Sequence, residues 1–279
     1  MPTVLVTGAS RGIGRATVER LVREGRTVVA AVRRDSDASS LVDEFGVRVQ
    51  PVLLDIADPK QLASLDSRLP EALDAVVNNA GIVVGGPVEA VALDELRRQL
   101  EVNLVGQVAV TQLVLPRLRR SRGRIVFVSS VSGRIVTPMT GAYNASKFAL
   151  EAIADAMRME LWPWRIEVSV VEPAQTDTDM WRHADDQLEE SVAAVPQHQR
   201  ELYAQHIEGF RRAIPKSQKL ATPAADVADC IFRALTERKP RPRYIVGAMP
   251  RLQYRTSRLL PTRVLDAVIR SHSGIKHRS

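Results

Sequence analysis

The chain has 279 residues, 45% hydrophobic and 25% charged, a balance that fills a sizeable core and excludes wholesale disorder. One cysteine, Cys230, excludes an intrachain disulfide framework and a cysteine-rich zinc site, and fits a reducing compartment. The net charge is +7, but residues 250–279 hold seven Lys or Arg against Asp266 alone, so six of those charges belong to one end.

Thr3 to Thr7 reads as a short strand, followed by a glycine-containing turn and a helix from Gly12 to Arg23. Strands follow at Thr27 to Val32, Val47 to Leu54 and Leu73 to Asn78, separated by helices over Ala38 to Phe45 and Pro59 to Leu69. Leu93 to Arg120 reads as one long helix containing Asn103. Next come a strand at Arg124 to Val128, a long helix at Tyr143 to Leu161 and a strand at Arg165 to Val171. Residues 174–222 read as a partly helical lid over a cleft, with no core of their own. A helix opened by Pro223 and running through Cys230 to Leu235, and a strand at Tyr244 to Val246, complete the pattern. Short apolar strands alternating with helices predict a single α/β domain over 1–249, its mostly parallel, doubly wound sheet covered by helices on both faces.

The basic end, 250–279, reads as an extension. It carries no zinc-finger or aromatic-rich RNA-binding pattern, so nucleic acid is not an expected partner. A solvated tail is the plainer reading; the alternatives are packing near the substrate cleft or a neighbouring subunit, and, as the lesser one, weak peripheral membrane contact. There Leu259, Leu260, Val264, Leu265, Val268 and Ile269 would form an apolar side, with Arg258, Arg263 and Arg270 at its margin. The opening residues lack the features of a secretory signal, and no apolar run approaches the roughly 20 residues that span a bilayer. A cytoplasmic protein is expected.

The stretch Thr7-Gly8-Ala9-Ser10-Arg11-Gly12-Ile13-Gly14 lies between a strand and a helix. Glycines permit close backbone approach, and the helix start offers unsatisfied amides to a pyrophosphate, although a plain structural turn would use the same residues. Tyr143 and Lys147, four residues apart, share a helical face. An ammonium beside a phenol favours the phenolate, which would lower a pKa otherwise near 10. That spacing alone is common. No histidine pattern suggests a metal, His183, His206 and His272 read as surface residues, and no serine sits in a hydrolase elbow.

Together these motifs resemble the short-chain dehydrogenase/reductase family. The glycine stretch matches its TGxxxGIG motif, Asn78-Asn79-Ala80-Gly81 its NNAG motif and Tyr143-Asn144-Ala145-Ser146-Lys147 its YxxxK segment, over roughly residues 3 to 247. The resemblance implies a Rossmann-like fold, a nicotinamide cofactor and a catalytic group of Asn103, Ser130, Tyr143 and Lys147. Cofactor contacts are expected at Gly8, Ser10, Arg11, Gly12, Ile13, Gly14, Asp55, Ile56, Asn79, Ala80, Gly81, Tyr143, Lys147, Pro173 and Thr178, the last of which is equally readable as a helix cap. Val32 stands where an acidic residue would select NAD, and Arg33 with Arg11 suits the 2′-phosphate of NADP(H). Ala174 departs from the family's Pro-Gly pair.

The expected activity is interconversion of a ketone or aldehyde with an alcohol. Met180, Trp181, Leu188, Val192, Leu202, Tyr203, Ile207 and Phe210 would cover a lipophilic substrate such as a steroid or retinoid, or pack the lid. The competing reading is a nucleotide-binding regulatory or interaction protein without hydride transfer. Family members pair through the two long helices, so Leu113, Leu150 and Ile153 point to a homodimer or homotetramer.

Overall fold

The computed structural model describes residues 1–257 and 259–276, apart from the side chains of Met180, Gln187, Lys216, Ala248, Met249, Gln253 and Arg255. The expectations resting on Arg258 and on the Met180 side chain lie outside the described residues.

Three strands open the chain: β1 (Thr3–Thr7), β2 (Thr27–Val32) and β3 (Val49–Leu53), separated by α1 (Gly12–Arg23) and α2 (Asp35–Phe45). The third is shorter than expected, because a 3-10 turn occupies Gly46–Arg48 and leaves Val47 almost fully exposed. Helix α3 (Pro59–Arg68) starts where its sequence says it should. Pro59 sits in the first turn, and the Asp58 carboxylate accepts from the Lys60 amide at 2.8 Å. After β4 (Ala75–Asn78) the expected single helix divides into α4 (Leu93–Leu100), a π-helical turn at Glu101–Val105 and α5 (Gly106–Ser121). The apolar pattern runs on through the wide turn, which hides it from the sequence. Such turns cluster at functional sites, and Asn103 lies in this one.

Beyond β5 (Arg124–Val128) come α6 (Gly141–Glu160) and β6 (Glu167–Glu172). The lid contains β7 (Thr176–Asp177), α7 (Asp179–Arg182), α8 (Ala184–Ala193), α9 (Gln197–Leu202), α10 (Ala204–Lys219) and β8 (Thr222–Pro223). Helix α11 (Ala224–Thr236), β9 (Arg243–Ile245), α12 (Ala248–Ser257) and α13 (Thr262–His272) complete the described chain.

Seven strands form one parallel sheet in the order β3-β2-β1-β4-β5-β6-β9. Side chains alternate across it, so Val4 and Val6 meet α1, α2 and α11 on one face. Leu5 joins the layer under α3, α5 and α6 on the other. Cys230 of α11 is buried in the first layer. The lid departs from expectation: Ala184, Leu188 and Ile214 make a small core of their own, with Trp181, Val192 and Phe210 against it.

Candidate active site

The glycine turn is a cradle closed by neighbouring backbone. Gly8 and Gly12 have φ of 64° and 55°, the region that glycine enters without strain. A Cβ on Gly8 would lie 3.0 Å from Ala80 Cα, one on Gly12 3.0 Å from Thr178 Cγ2, and one on Gly14 would collide with the Gly8 carbonyl oxygen. Asn79 ties the second strap to the first, donating through Nδ2 to the carbonyls of Thr7 at 3.0 Å and Gly8 at 3.1 Å. The start of α1 has no side-chain cap and no acidic residue in its first turn. Its free amides, and a groove no side chain can fill, fit a dinucleotide pyrophosphate. Ser10 borders the groove, Arg11 is exposed beside it, and Ile13 anchors the helix against the core.

Farther along the strand ends, Asp55 accepts from the Ala57 amide at 3.0 Å, and Ile56 is buried against Gly106. Val32 is buried, whereas Arg33 and Arg34 are exposed. Arg34 is engaged by Asp37 through two bonds of 2.9 Å. That bond holds the Asp37 carboxyl below its ordinary pKa, with Arg11 and Arg33 adding to the effect.

Ser130, Tyr143 and Lys147 come together at the end of β5. The Ser130 hydroxyl accepts from the Ser132 amide at 3.1 Å and is near enough to the Tyr143 phenol to act on its pKa. Lys147 Nζ donates to the Val128 carbonyl at 2.9 Å and stands 5.8 Å from the Tyr143 ring centre. Burial pushes the tyrosine pKa up, with the neighbouring Ser130 hydroxyl opposing it. The expected lowering by Lys147 is not what dominates this site, where the ammonium is directed at Val128. Burial also lowers the Lys147 pKa to about 8, against the pull of Glu151. Asn103 is fully buried one layer away. Its amide holds Ile82 through two bonds of 2.8 and 3.0 Å and reaches Ser146 Oγ at 3.1 Å, touching neither Tyr143 nor Lys147.

Pro173 approaches from β6, its carbonyl accepting from Val131 at 3.0 Å. Ala174 lies outside the left-handed region, so the loop does not require the family's glycine there. Thr178 meets Gly12 and does not cap a helix through its side chain.

Sequence reasoning missed a buried ionic group immediately behind these residues. Glu172, 1% exposed, lies 3.2 Å from Arg243 and 3.5 Å from Arg134. Glu151 of α6 lies 2.7 Å from Arg134 and 3.2 Å from Arg243. The acidic Glu172 next to Pro173 was the one available signal. Its partners are remote in sequence and meet only through the parallel sheet.

Pro87, Val88, Val136, Thr137, Pro138, Met139 and Gly141 line a cavity of about 240 Å³ roofed by Tyr203 and His206; Ser130, Tyr143 and Lys147 are not among its lining residues, and Gly141, two residues before Tyr143, is the nearest to them in sequence. His206 was expected on the surface and is instead half-buried here. Of the predicted lid residues, Tyr203 faces this cavity, while Trp181, Leu188, Val192 and Phe210 pack within the lid.

Comparison with known proteins agrees with this arrangement. Residues 2–189 match the short chain dehydrogenase family. The chain is 31% identical to an NADPH-dependent 3-dehydrocapnine reductase of Ornithobacterium rhinotracheale over 96% of both chains. It is 33% identical to retinol dehydrogenase 5 of Mus musculus over 95% of this chain and 87% of that one. A short chain dehydrogenase from Burkholderia cenocepacia, solved in complex with NADP, superposes with a TM-score of 0.75 at 27% identity, covering 96% and 97% of the two chains. The parallel sheet, the glycine cradle and these matches place the chain in the short-chain dehydrogenase/reductase family, as an oxidoreductase built for a nicotinamide cofactor.

Proposed function

We propose that the protein is an NADP(H)-dependent oxidoreductase that interconverts a lipophilic ketone or aldehyde with its alcohol, in a single catalytic domain over 1–249 with 174–222 as the lid. The observation that carries this reading is the clustering of Ser130, Tyr143 and Lys147, whose Nζ stands 5.8 Å from the tyrosine ring centre, at the strand ends that hold the glycine cradle. When bound, the nicotinamide supplies or accepts the hydride.

The protein's own residues handle the oxygen and its proton. In reduction Tyr143 Oη donates the proton to the carbonyl oxygen while the Ser130 hydroxyl donates a hydrogen bond to it, countering the charge that develops. In oxidation the same phenol takes the hydroxyl proton. Lys147 holds positive charge beside the phenol and presents donors to ribose hydroxyls. Asn103 is a positioning residue: its bonds to Ile82 and Ser146 brace the NNAG strap against α6.

Two observations support the finer choices. Arg34 neutralises Asp37, leaving Arg11 and Arg33 exposed for a 2′-phosphate. The cavity is lined chiefly by Pro87, Val88, Val136, Pro138 and Met139, and similar proteins are named as a retinol dehydrogenase and a 17-beta-hydroxysteroid dehydrogenase.

Tyr143→Phe tests the chemistry. Turnover of a ketone panel with NADPH is expected to fall on the order of 10²–10⁴-fold, with NADPH binding by fluorescence titration retained. Turnover at the parent rate would overturn the role given to Tyr143.

A further inference from the structure

We propose that α13 and the residues leading into it form a docking surface for an anionic lipid bilayer, standing directly on the roof of the substrate cavity. Val264 and Val268 are 45% and 54% exposed, and with Ala267 and Ser271 they make one continuous stripe on the solvent side of the helix. Leu259 and Leu260, 83% and 38% exposed, extend the apolar surface at its start. Leu265 and Ile269 are more covered and face the protein. Arg263 and Arg270 are seven residues apart and therefore share one margin of the exposed stripe.

The charge selects the occupant. Arg263 and Arg270 lie on the helix itself, Arg251 and Lys276 belong to the same basic segment, and Asp266 is the sole acidic residue of residues 250–279. A second copy would bring the same positive end against itself. An interface of negative headgroups above hydrocarbon complements both the arginines and the valines. No described helix is long and apolar enough to cross a membrane, so the contact is peripheral.

The helix is fixed to the lid at two points. Gly209 of α10 packs against the Ser273 carbonyl so closely that a Cβ there would collide with it. Gln205 exchanges two bonds of 3.1 Å with the backbone of Lys276. These points bracket His206, which with Tyr203 roofs the cavity. A lipophilic substrate dissolved in the bilayer thus reaches the roof without crossing water, a consequence that rests on the substrate class proposed above. The docking itself does not.

The test is sedimentation of the full chain with vesicles of phosphatidylcholine alone and of phosphatidylcholine mixed with phosphatidylserine. The chain is expected to pellet with the mixed vesicles and to be released by raised salt. Val264→Asp/Val268→Asp, both changes at exposed positions, is expected to weaken pelleting at least tenfold with an unchanged thermal midpoint. Arg263→Gln/Arg270→Gln is expected to weaken it and flatten its salt dependence. A parent chain that stays in the supernatant, or a valine double variant that pellets like the parent, overturns the proposal. So does a fall in oligomer mass in the valine variant without vesicle binding by the parent, which would assign the face to a second copy. Tyr143→Phe is expected to pellet normally, so failure of the proposed chemistry and failure of docking read out separately. For delivery, the valine variant is expected to lose turnover of a vesicle-held ketone and keep that of a water-soluble one; equal loss of both refutes that part.

Discussion

A carboxylate as enclosed as Glu172 is costly to ionise, and burial together with Glu151 pushes its pKa up to about 7 although Arg134 and Arg243 oppose the shift. Its folded pKa thus lies above the unfolded value. The stability it contributes is complete at low pH and is lost as pH rises from about 4.5 through about 7. Glu172→Gln stays neutral throughout, so it is expected to raise the thermal midpoint at about pH 8 and to change it little at about pH 5. A lowered midpoint at the higher pH would show that the arginine contacts outweigh burial. Arg33 offers a second measurement at this scale. Arg33→Ala is expected to weaken NADPH roughly 10- to 100-fold, the worth of one charge-assisted bond, and to leave NADH nearly unchanged. Equal losses in calorimetric titrations of the two cofactors would exclude a direct phosphate contact.

Among the elements, those bounded by glycine or a sharp change of polarity were legible to the residue: Thr3–Thr7, Gly12–Arg23, Thr27–Val32 and Arg124–Val128. The π-turn around Asn103 was not, because an extra residue in a turn leaves the apolar pattern unbroken. The lid was legible as helical, but which way its apolar residues face depends on packing, and most turned inward. Ser130, Tyr143 and Lys147 could be nominated from spacing and resemblance, whereas the contact of Glu172 with Arg134 and Arg243 needs three remote segments in register. The glycine cradle is the most exacting element. Gly14→Ala places a methyl against the Gly8 carbonyl, and overpacking of this kind costs about 1–3 kcal/mol. Chemical denaturation is expected to register that loss, and cofactor titration a weakened affinity. An unchanged midpoint and affinity would mean the cradle can widen.

For the molecule as a whole, self-association is expected through the outer face of the π-turn, α5 and α6. Leu150, one of the residues expected there, is fully buried in its own fold and unavailable. Phe148 and Val105, 41% and 48% exposed, present the apolar surface instead. Phe148→Asp is expected to halve the mass seen by light scattering from a parent dimer. A parent that is already monomeric over a wide concentration range would remove the interface altogether.

The strand order also governs how the chain is assembled as it is made. Strands β2 and β3 settle on one side of β1, and its other side stays open until Ala75–Asn78 is available. Every later sheet strand then joins the same growing edge, β5 on β4, β6 on β5 and β9 on β6. A nascent chain therefore offers unpaired ladder groups on the side where the catalytic half is being built, and interruption of synthesis there leaves a strand edge open to other chains. The three-residue β9, followed at once by a helix, brings that exposure to an end.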